Sequence, residues 1–285
     1  MSDVIKFIRI PKNQSKVIYA LIIIVMIFSY TNPILLPLNV DLETQAYYNT
    51  IVDLPAGKTI LLAFAFDSGQ WGALGGAAIA TLNLLQTKND KILISPFSSV
   101  EGGLMIQRCL GLQKGGYNAL GKYGVDWVIL PYGPGDETFY AAMMQEPNGM
   151  HTAQGNKDYF GTNMENLPIM DNVHSHKDID LLICIGGAGA GHQVRQFGVP
   201  YGIPILVADI AVDWAELKMF IDNGAVKGGI KDAVGSAELE KLIGIPGIAT
   251  STVAGLSLNH LLIIGFIVVG NIQYLYGRYK KRGGK

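Results

Sequence analysis

Residues 59–66 read TILLAFAF, a short apolar run without a charged side chain that leads directly into Asp67, Ser68 and Gly69. A continuous apolar run of this length, bounded by turn residues, is typical of a strand covered on both faces. Strands of that kind occur mainly in parallel sheets, because crossover helices cover both faces. The stretch therefore predicts one strand of a buried parallel sheet.

The same pattern returns four times along the chain. The further short apolar runs are 91–97 (KILISPF), 126–132 (DWVILPY), 180–186 (DLLICIG) and 203–210 (IPILVADI). Helix-like stretches separate them, and alternating strands and helices predict an open parallel sheet with right-handed crossovers. We therefore expect an α/β domain with a Rossmann-like or flavodoxin-like parallel sheet of about five strands.

Two apolar runs flank this predicted domain. Residues 17–38 and 255–276 contain no Asp, Glu, Lys or Arg. Each exceeds 20 residues, and at about 1.5 Å per residue that length crosses a hydrocarbon core of about 30 Å. The pattern predicts two transmembrane helices around a domain at 39–254, with a polar insertion at 146–177. A cleaved signal peptide at 17–38 or a buried core helix are the alternatives.

The charge distribution predicts an orientation. Residues 1–16 and 277–285 together hold nine basic residues and one acid, whereas residues 39–254 hold 13 basic residues and 22 acids. Lys and Arg in short flanks favour the cytoplasmic side. We expect a two-pass protein of the cytoplasmic membrane, with both basic termini in the cytoplasm against the lipid bilayer and the acidic domain outside. An acidic domain argues against nucleic acid as a partner.

Polar residues follow each predicted strand, where the ligands of open α/β sheets bind. The candidate ligand-binding residues at these strand ends are Asp67, Ser68, Ser98, Ser99, Asp136, Gly187, Gly189, His192 and Asp209. The glycine-rich turn at 186–192 lacks the Gly-Lys-Ser/Thr of a P-loop and is not a clean dinucleotide fingerprint. A Ser, His and Asp set for a hydrolase or transferase is conceivable, but no nucleophile elbow is present. No catalytic residue is assigned, and no cofactor is predicted.

The helix predicted after the first strand is rich in small residues, including Gly72, Gly75 and Gly76. Glycine weakens a helix, so its retention indicates a close backbone approach, either to the helix's own sheet or to another subunit. Asn259 and His260 lie in the second apolar run, where polar groups seek partner helices. These five residues form a candidate oligomer interface.

The two cysteines, two neighbouring histidines and the stretch before the second apolar run are further features of the sequence. Cys109 and Cys184 lie in apolar contexts and are expected to be buried small hydrophobes, although a disulfide between them stays open. His174 and His176 are a weak metal pair, and no metal site is predicted. Residues 227–247 are interpreted as a semi-rigid collar before the second apolar run.

Several segments resemble an uncharacterised family of prokaryotic two-span membrane proteins with a central α/β domain. They lie between about residues 120 and 245 and are 123–127 (YGVDW), 132–135 (YGPG), 158–162 (DYFGT), 167–170 (LPIM), 178–181 (DIDL) and 228–238 (GGIKDAVGSAE). The resemblance implies the two-span architecture and transfers no catalytic residue. The turn at 186–192 departs from the acidic loop usual in that family.

The missing catalytic signature and the small-residue helix together favour a non-catalytic subunit that oligomerises or acts as a scaffold in a membrane complex, as a homo-oligomer or with another membrane protein. The alternatives are an extracytoplasmic module that binds or senses a small ligand, and a hydrolase or transferase using the strand-end Ser, His and Asp groups.

Overall fold

A computed structural model describes residues 14–32, 37–97, 100–134, 136–186 and 189–282 of the 285-residue chain. The chain divides into two compact units. Residues 37–250 form an α/β unit, and the residues up to 36 and from 251 onward form a helical unit.

The α/β unit is built on one parallel sheet. Its strands are β1 (Thr59–Ala65), β2 (Lys91–Ser95), β3 (Trp127–Ile129), β4 (Leu181–Gly186), β5 (Ile205–Asp209) and β6 (Val226–Lys231). They are ordered β3-β2-β1-β4-β5-β6, and each neighbouring pair is parallel. The predicted parallel α/β sheet is confirmed. The order is that of the Rossmann fold and not the 2-1-3-4-5 order of flavodoxin.

The prediction of about five strands was wrong by one. The sixth strand, β6, lies at the start of the stretch interpreted as a collar. Its sequence VKGGIK contains two glycines, which are depleted in strands and hid the pattern. The structure explains Gly228, because a Cβ there would collide with the backbone of Tyr47 in the helix that covers β6.

Helices cover both faces of the sheet. They are α2 (Leu42–Val52), α3 (Trp71–Leu85), α4 (Gly102–Leu112), α5 (Asp136–Met144), α6 (Gly149–Thr152), α7 (Gly189–Gln193), α8 (Val199–Tyr201), α9 (Trp214–Asp222) and α10 (Asp232–Leu242). A π-helical turn, Val194–Gly198, joins α7 to α8. The remaining helices, α1 (Gln14–Thr31) and α11 (Ile248–Arg282), hold the apolar runs.

Alternate residues of strands β1 to β5 belong to two different apolar clusters, so one apolar core lies on each face of the sheet. Cys109 belongs to one core and Cys184 to the other, and both are free. Burial raises the pKa of each thiol above its ordinary value. The cysteines therefore act as buried hydrophobes, and the disulfide left open by the sequence is not formed.

The insertion at 146–177 packs on the α/β unit. Its Met164, Ile169 and Met170 side chains are buried. Two of the segments quoted for the family resemblance meet here, since the Tyr123 hydroxyl donates to Asp158 Oδ2 over 2.7 Å. The same Asp158 carboxylate accepts backbone N–H groups in its own turn, so these segments have a structural role.

The two histidines considered as a metal pair, His174 and His176, have separate partners. The ring of His174 stacks on His151 with centroids 5.4 Å apart, and the ring of His176 stacks on Tyr201 at 4.1 Å. Nδ1 of His176 also lies 2.8 Å from the carbonyl oxygen of Met144. Among the described residues, no group of three or more His, Cys, Asp or Glu side chains could hold a metal ion.

Helix α10 holds both ends of the α/β unit. At the amino end, Glu238 Oε2 accepts the backbone N–H of Asp41 at 3.1 Å, and the Lys241 ammonium donates to the carbonyl oxygen of Leu38. At the carboxyl end, Glu240 binds the start of α11. Glu238, Glu240 and Lys241 are called the α10 clamp below.

Glu240 is the most heavily used member of the clamp, and it is 2% exposed. Its carboxylate accepts the backbone N–H groups of Gly247, Ala249 and Thr250 at 2.8–3.0 Å and the Thr250 hydroxyl at 2.6 Å. The first N–H groups of a helix lack partners inside the helix, and the helix dipole favours a negative charge beside them. The Glu240 side chain therefore supplies the hydrogen-bond acceptors for these N–H groups at the start of α11.

The helical unit contains the two apolar helices. By length and composition, one stretch of the described residues can cross a membrane, namely Ile248–Tyr279 within α11, whose most apolar 18 residues have a mean hydropathy of 2.1. The predicted span at 17–38 is not one continuous helix in the described chain, since α1 ends at Thr31 and residues 33–36 lie outside the described residues. Pro33 explains the end, because proline disfavours the helical conformation in the residue before it.

Candidate functional site

The strand order points to one edge of the sheet. The order reverses between β1 and β4, and ligands of Rossmann-type sheets bind outside the carboxyl ends of the strands at this reversal. Two turns meet the edge here, the turn after β1 and the glycine-rich turn after β4. Their side chains decide what the edge can bind.

The turn after β1 is closed by the chain's own carboxylates. Asp67 Oδ1 accepts the backbone N–H groups of Gly69 at 2.9 Å and Gln70 at 3.2 Å. Glu101 Oε2 accepts the N–H of Ser68 at 3.0 Å, and its hydrogen bonds with Ser68 lower the pKa of Glu101. A bound phosphate would use such N–H groups at the start of a helix. Asp67 therefore serves as a helix cap, and this turn is not an open phosphate site.

Several predicted residues do not enter the described site. Ser98, Ser99 and Gly187 lie outside the described residues. Asp136 and Gly189 are the first residues of α5 and α7.

The β4 side of the edge carries a cluster of charged residues, called the rim below: Glu137, His192, Arg195 and Glu216. Nδ1 of His192 lies 3.6 Å from Glu137 Oε1, and Arg195 Nη2 lies 4.0 Å from the same oxygen. Arg195 Nη1 also forms an ion pair with Glu216. The rim is partly exposed, and its charges face one another.

Asp209 lies beneath this rim at the end of β5 and is 1% exposed. Its Oδ1 accepts the backbone N–H of Ile210 at 2.7 Å, whereas no described residue is a hydrogen-bond partner of Oδ2. Burial, with smaller contributions from the Asp213 and Glu216 charges, raises the pKa of Asp209 from 3.8 to about 8. This carboxyl group is therefore largely protonated at neutral pH.

Gln193 is a second buried polar group of the site. It is fully buried, and within the described part of the chain neither its Nε2 nor its Oε1 has a hydrogen-bond partner. Sequence reasoning selected His192 and Asp209 but missed Gln193, Arg195 and Glu216. A signal for Gln193 existed, because Ala190, Val194 and Phe197 form a helical apolar stripe in which it is the one polar member.

Among the groups named for catalysis, the described ones, Ser68, His192 and Asp209, are not brought together. His192 faces Glu137 and not Asp209, and the backbone of Ser68 is held by Glu101. A nucleophile, a base and an orienting acid must lie within hydrogen-bond reach of one another. Of the described residues, no such set is assembled from the predicted Ser, His and Asp groups.

The small-residue helix has an intramolecular explanation. A Cβ on Gly76 would lie 2.5 Å from the Ala249 Cβ at the start of α11, and a Cβ on Gly75 would lie 2.9 Å from the Trp71 ring. Gly72 is exposed, and a Cβ there meets nothing within 4 Å. Of these three glycines, Gly76 alone lies close to another element, the start of α11, and a subunit interface stays a prediction.

In the helical unit, His260 is exposed, whereas the Asn259 side-chain oxygen is buried. No described group is a hydrogen-bond partner of that oxygen. Neither observation tests the predicted role of these two residues between subunits.

Two substitutions in α3 separate close packing from intrinsic helix propensity. Gly76→Ala should lower the free energy of unfolding by about 1–3 kcal/mol, because the added methyl must displace Ala249. Gly72→Ala should be neutral or stabilising by up to about 1 kcal/mol, because alanine favours the helix and meets nothing. Urea unfolding of the detergent-solubilised chain, followed by tryptophan fluorescence, measures both. Equal effects of the two changes would contradict the packing assigned to Gly76.

Comparison with known proteins gives little further guidance. No protein-family model and no curated protein matches the sequence. Among solved structures, the crystal structure of AibC is similar over 76% of this chain and 50% of its own, with a TM-score of 0.32 and 13% identity. The chain thus spans half the length of that protein, and a likeness at this level carries no argument about function.

Proposed function

We propose that this chain is a membrane-anchored, non-catalytic subunit that oligomerises or acts as a scaffold in a membrane complex. In this proposal α1 and α11 both cross the cytoplasmic membrane, both termini are cytoplasmic, and the α/β unit is extracytoplasmic. The resemblance to the uncharacterised family of prokaryotic two-span membrane proteins belongs to the same proposal.

Contacts within the helical unit support two spans. The Tyr30 hydroxyl and Thr252 Oγ1 lie 3.1 Å apart, and a Cβ on Gly255 would lie 3.1 Å from Met26 Sδ. The end of α1 therefore meets the beginning of α11, which is the pairing of an antiparallel helical hairpin. In such a hairpin the start of α1 and the end of α11 lie on the same side, in agreement with the preference of basic flanks for the cytoplasm.

The observation that carries the proposal is the α10 clamp. It holds the segment that follows α1 through Leu38 and Asp41, and it holds the first residues of α11 through Glu240. One helix of the α/β unit thus binds both the segment that follows α1 and the first residues of α11. The use of Asp67 and Glu101 as caps supports the absence of catalysis in this proposal.

Cysteine labelling tests the orientation, because both native cysteines are buried and give little background. Glu165→Cys places a thiol on the exposed surface of the insertion, and Ser2→Cys and Lys285→Cys place thiols at the termini. A membrane-impermeant maleimide should label the Glu165→Cys protein in intact cells and the two terminal variants only in inverted vesicles. The reverse pattern, or release of the chain by alkaline carbonate, would refute the orientation or the anchoring.

The mass of the solubilised chain tests the oligomeric part of the proposal. Light scattering in mild detergent should give a multiple of the 30.7 kDa chain. A strictly monomeric species over a wide concentration range would contradict a homo-oligomer.

The enzymatic alternative rests on His192 beside Glu137, since a carboxylate can orient an imidazole as a general base. If a hydrolase or transferase activity is found, replacing His192 by Ala should abolish it. Unchanged turnover would dismiss that assignment.

A further inference from the structure

Two neighbouring elements each bury a polar side chain whose hydrogen-bonding capacity is unused among the described residues. Gln193 in α7 has neither amide atom paired, and Asp209 at the end of β5 has Oδ2 unpaired. Both residues are at most 1% exposed. Burial of a polar group without a partner is unfavourable, so nearly all such groups in folded proteins are satisfied by protein, water or ligand.

The two groups lie on the same face of the sheet, in a region called the layer below. Gln193 shares the inner side of its helical segment with Ala190 and Val194, which belong to the same apolar core as Val207 of β5. Side chains alternate along a strand, so Asp209 points to the same face of the sheet as Val207. Because α7 contacts both β4 and β5, the layer lies between the 189–198 segment and the carboxyl end of β5.

The backbone beside this layer contains a π-helical turn. The π-helical turn Val194–Gly198 begins immediately after Gln193. Single π-helical turns occur frequently at functional sites. The layer also adjoins the carboxyl edge where the strand order reverses, which is where Rossmann-type sheets bind ligands.

The surrounding charges favour an uncharged ligand. The one cation of the rim, Arg195, already faces the carboxylates of Glu137 and Glu216, and the His192 ring lies beside Glu137. Burial raises the pKa of Asp209 to about 8, so this group is mainly neutral at pH 7. A protonated carboxyl group and a glutamine amide each present an acceptor oxygen beside a donor. A flat group with the same pair of atoms, a carboxamide, complements both.

We propose that the layer between residues 189–198 and the end of β5 binds a small uncharged molecule through its carboxamide group, held by Gln193 and Asp209. This site goes beyond the scaffold role, and it does not depend on the membrane topology. Failure of the cysteine-labelling experiment would therefore refute the membrane topology and leave this site untouched. Failure of ligand binding would refute this site and leave the topology untouched.

The test uses the full chain in detergent, with acetamide and benzamide as probes and acetate and benzoate as matched charged controls. At ten times the dissociation constant, an amide should raise the thermal midpoint by about 3–5 °C. Gln193→Leu keeps a side chain of similar size in the core but removes the amide, and its midpoint should not respond. The carboxylates should leave all midpoints unchanged.

The pH dependence adds a second readout. In the wild-type protein the amide-induced shift should disappear as the pH rises through about 8, because Asp209 then ionises and loses its donor. In Asp209→Asn the shift should persist across that range. An absent response of the wild-type protein to both amides would show that ordered water alone satisfies these groups and would overturn the proposal. So would an equal response of Gln193→Leu or of the carboxylates.

Discussion

Replacing Glu240 by Ala is expected to lower the free energy of unfolding of the α/β unit by about 3–5 kcal/mol. The carboxylate accepts three backbone N–H groups and one hydroxyl at the start of α11, and all four bonds are lost together. Hydrogen bonds to a charged group contribute about 1.5–3 kcal/mol each, and shared bonds are not additive. For a unit of this size the change corresponds to a fall in Tm of about 6–20 °C.

Two variants serve as controls for this prediction. Glu240→Gln keeps the shape and one acceptor oxygen, so its loss should be intermediate. Glu165→Ala removes an exposed acid of the insertion and should change the free energy of unfolding by less than about 0.5 kcal/mol. Near-ultraviolet circular dichroism of the solubilised chain measures all three. A loss below about 1 kcal/mol for Glu240→Ala would mean that other groups cap α11.

The second large effect is a dependence of stability on pH that comes from Asp209. Its pKa is about 8 in the folded chain and 3.8 ordinarily, so the folded state binds the proton more tightly than the unfolded state. The free energy of unfolding therefore falls as the pH rises from about 4 to about 8, at up to about 1.4 kcal/mol per pH unit. Above about pH 8 both states are ionised and this dependence ends.

Asp209→Asn isolates this contribution, because asparagine has the same size and does not titrate. Relative to the variant, the wild-type protein should lose about 3 kcal/mol between pH 5 and pH 8. Burial also raises the pKa of Glu238, which gives the same sign, but the difference between the two proteins removes that contribution. Urea unfolding at both pH values measures it, and parallel curves for wild type and variant would refute a buried neutral Asp209.

The sheet was largely predictable because its central strands are continuous apolar runs. TILLAFAF and LLICI are apolar on both faces of a strand, so both faces must be covered by helices, and both segments form strands. The order of the strands was not predictable, since the same runs fit a Rossmann or a flavodoxin arrangement. The edge strand β6 was missed because Gly228 is required by contact with α2, which sequence periodicity cannot show.

The site was predictable only in outline. The rule that polar residues gather at the strand ends selected Asp67, His192 and Asp209, which follow β1, follow β4 and end β5 in the structure. It could not show that Asp67 caps its own turn with help from Glu101, a residue 34 positions away in the chain. It also could not distinguish a buried Gln193 from an exposed one, because burial follows from the neighbouring elements.

The clamp on α10 has a practical consequence for protein engineering. Leu38 and Thr250 both bind residues of one helical turn, so the two ends of the α/β unit are close neighbours. Domains with adjacent ends tolerate transplantation and circular permutation. Residues 37–250 could thus be excised as a cassette, grafted into a surface loop of a carrier protein, or opened at a new position with the old ends fused.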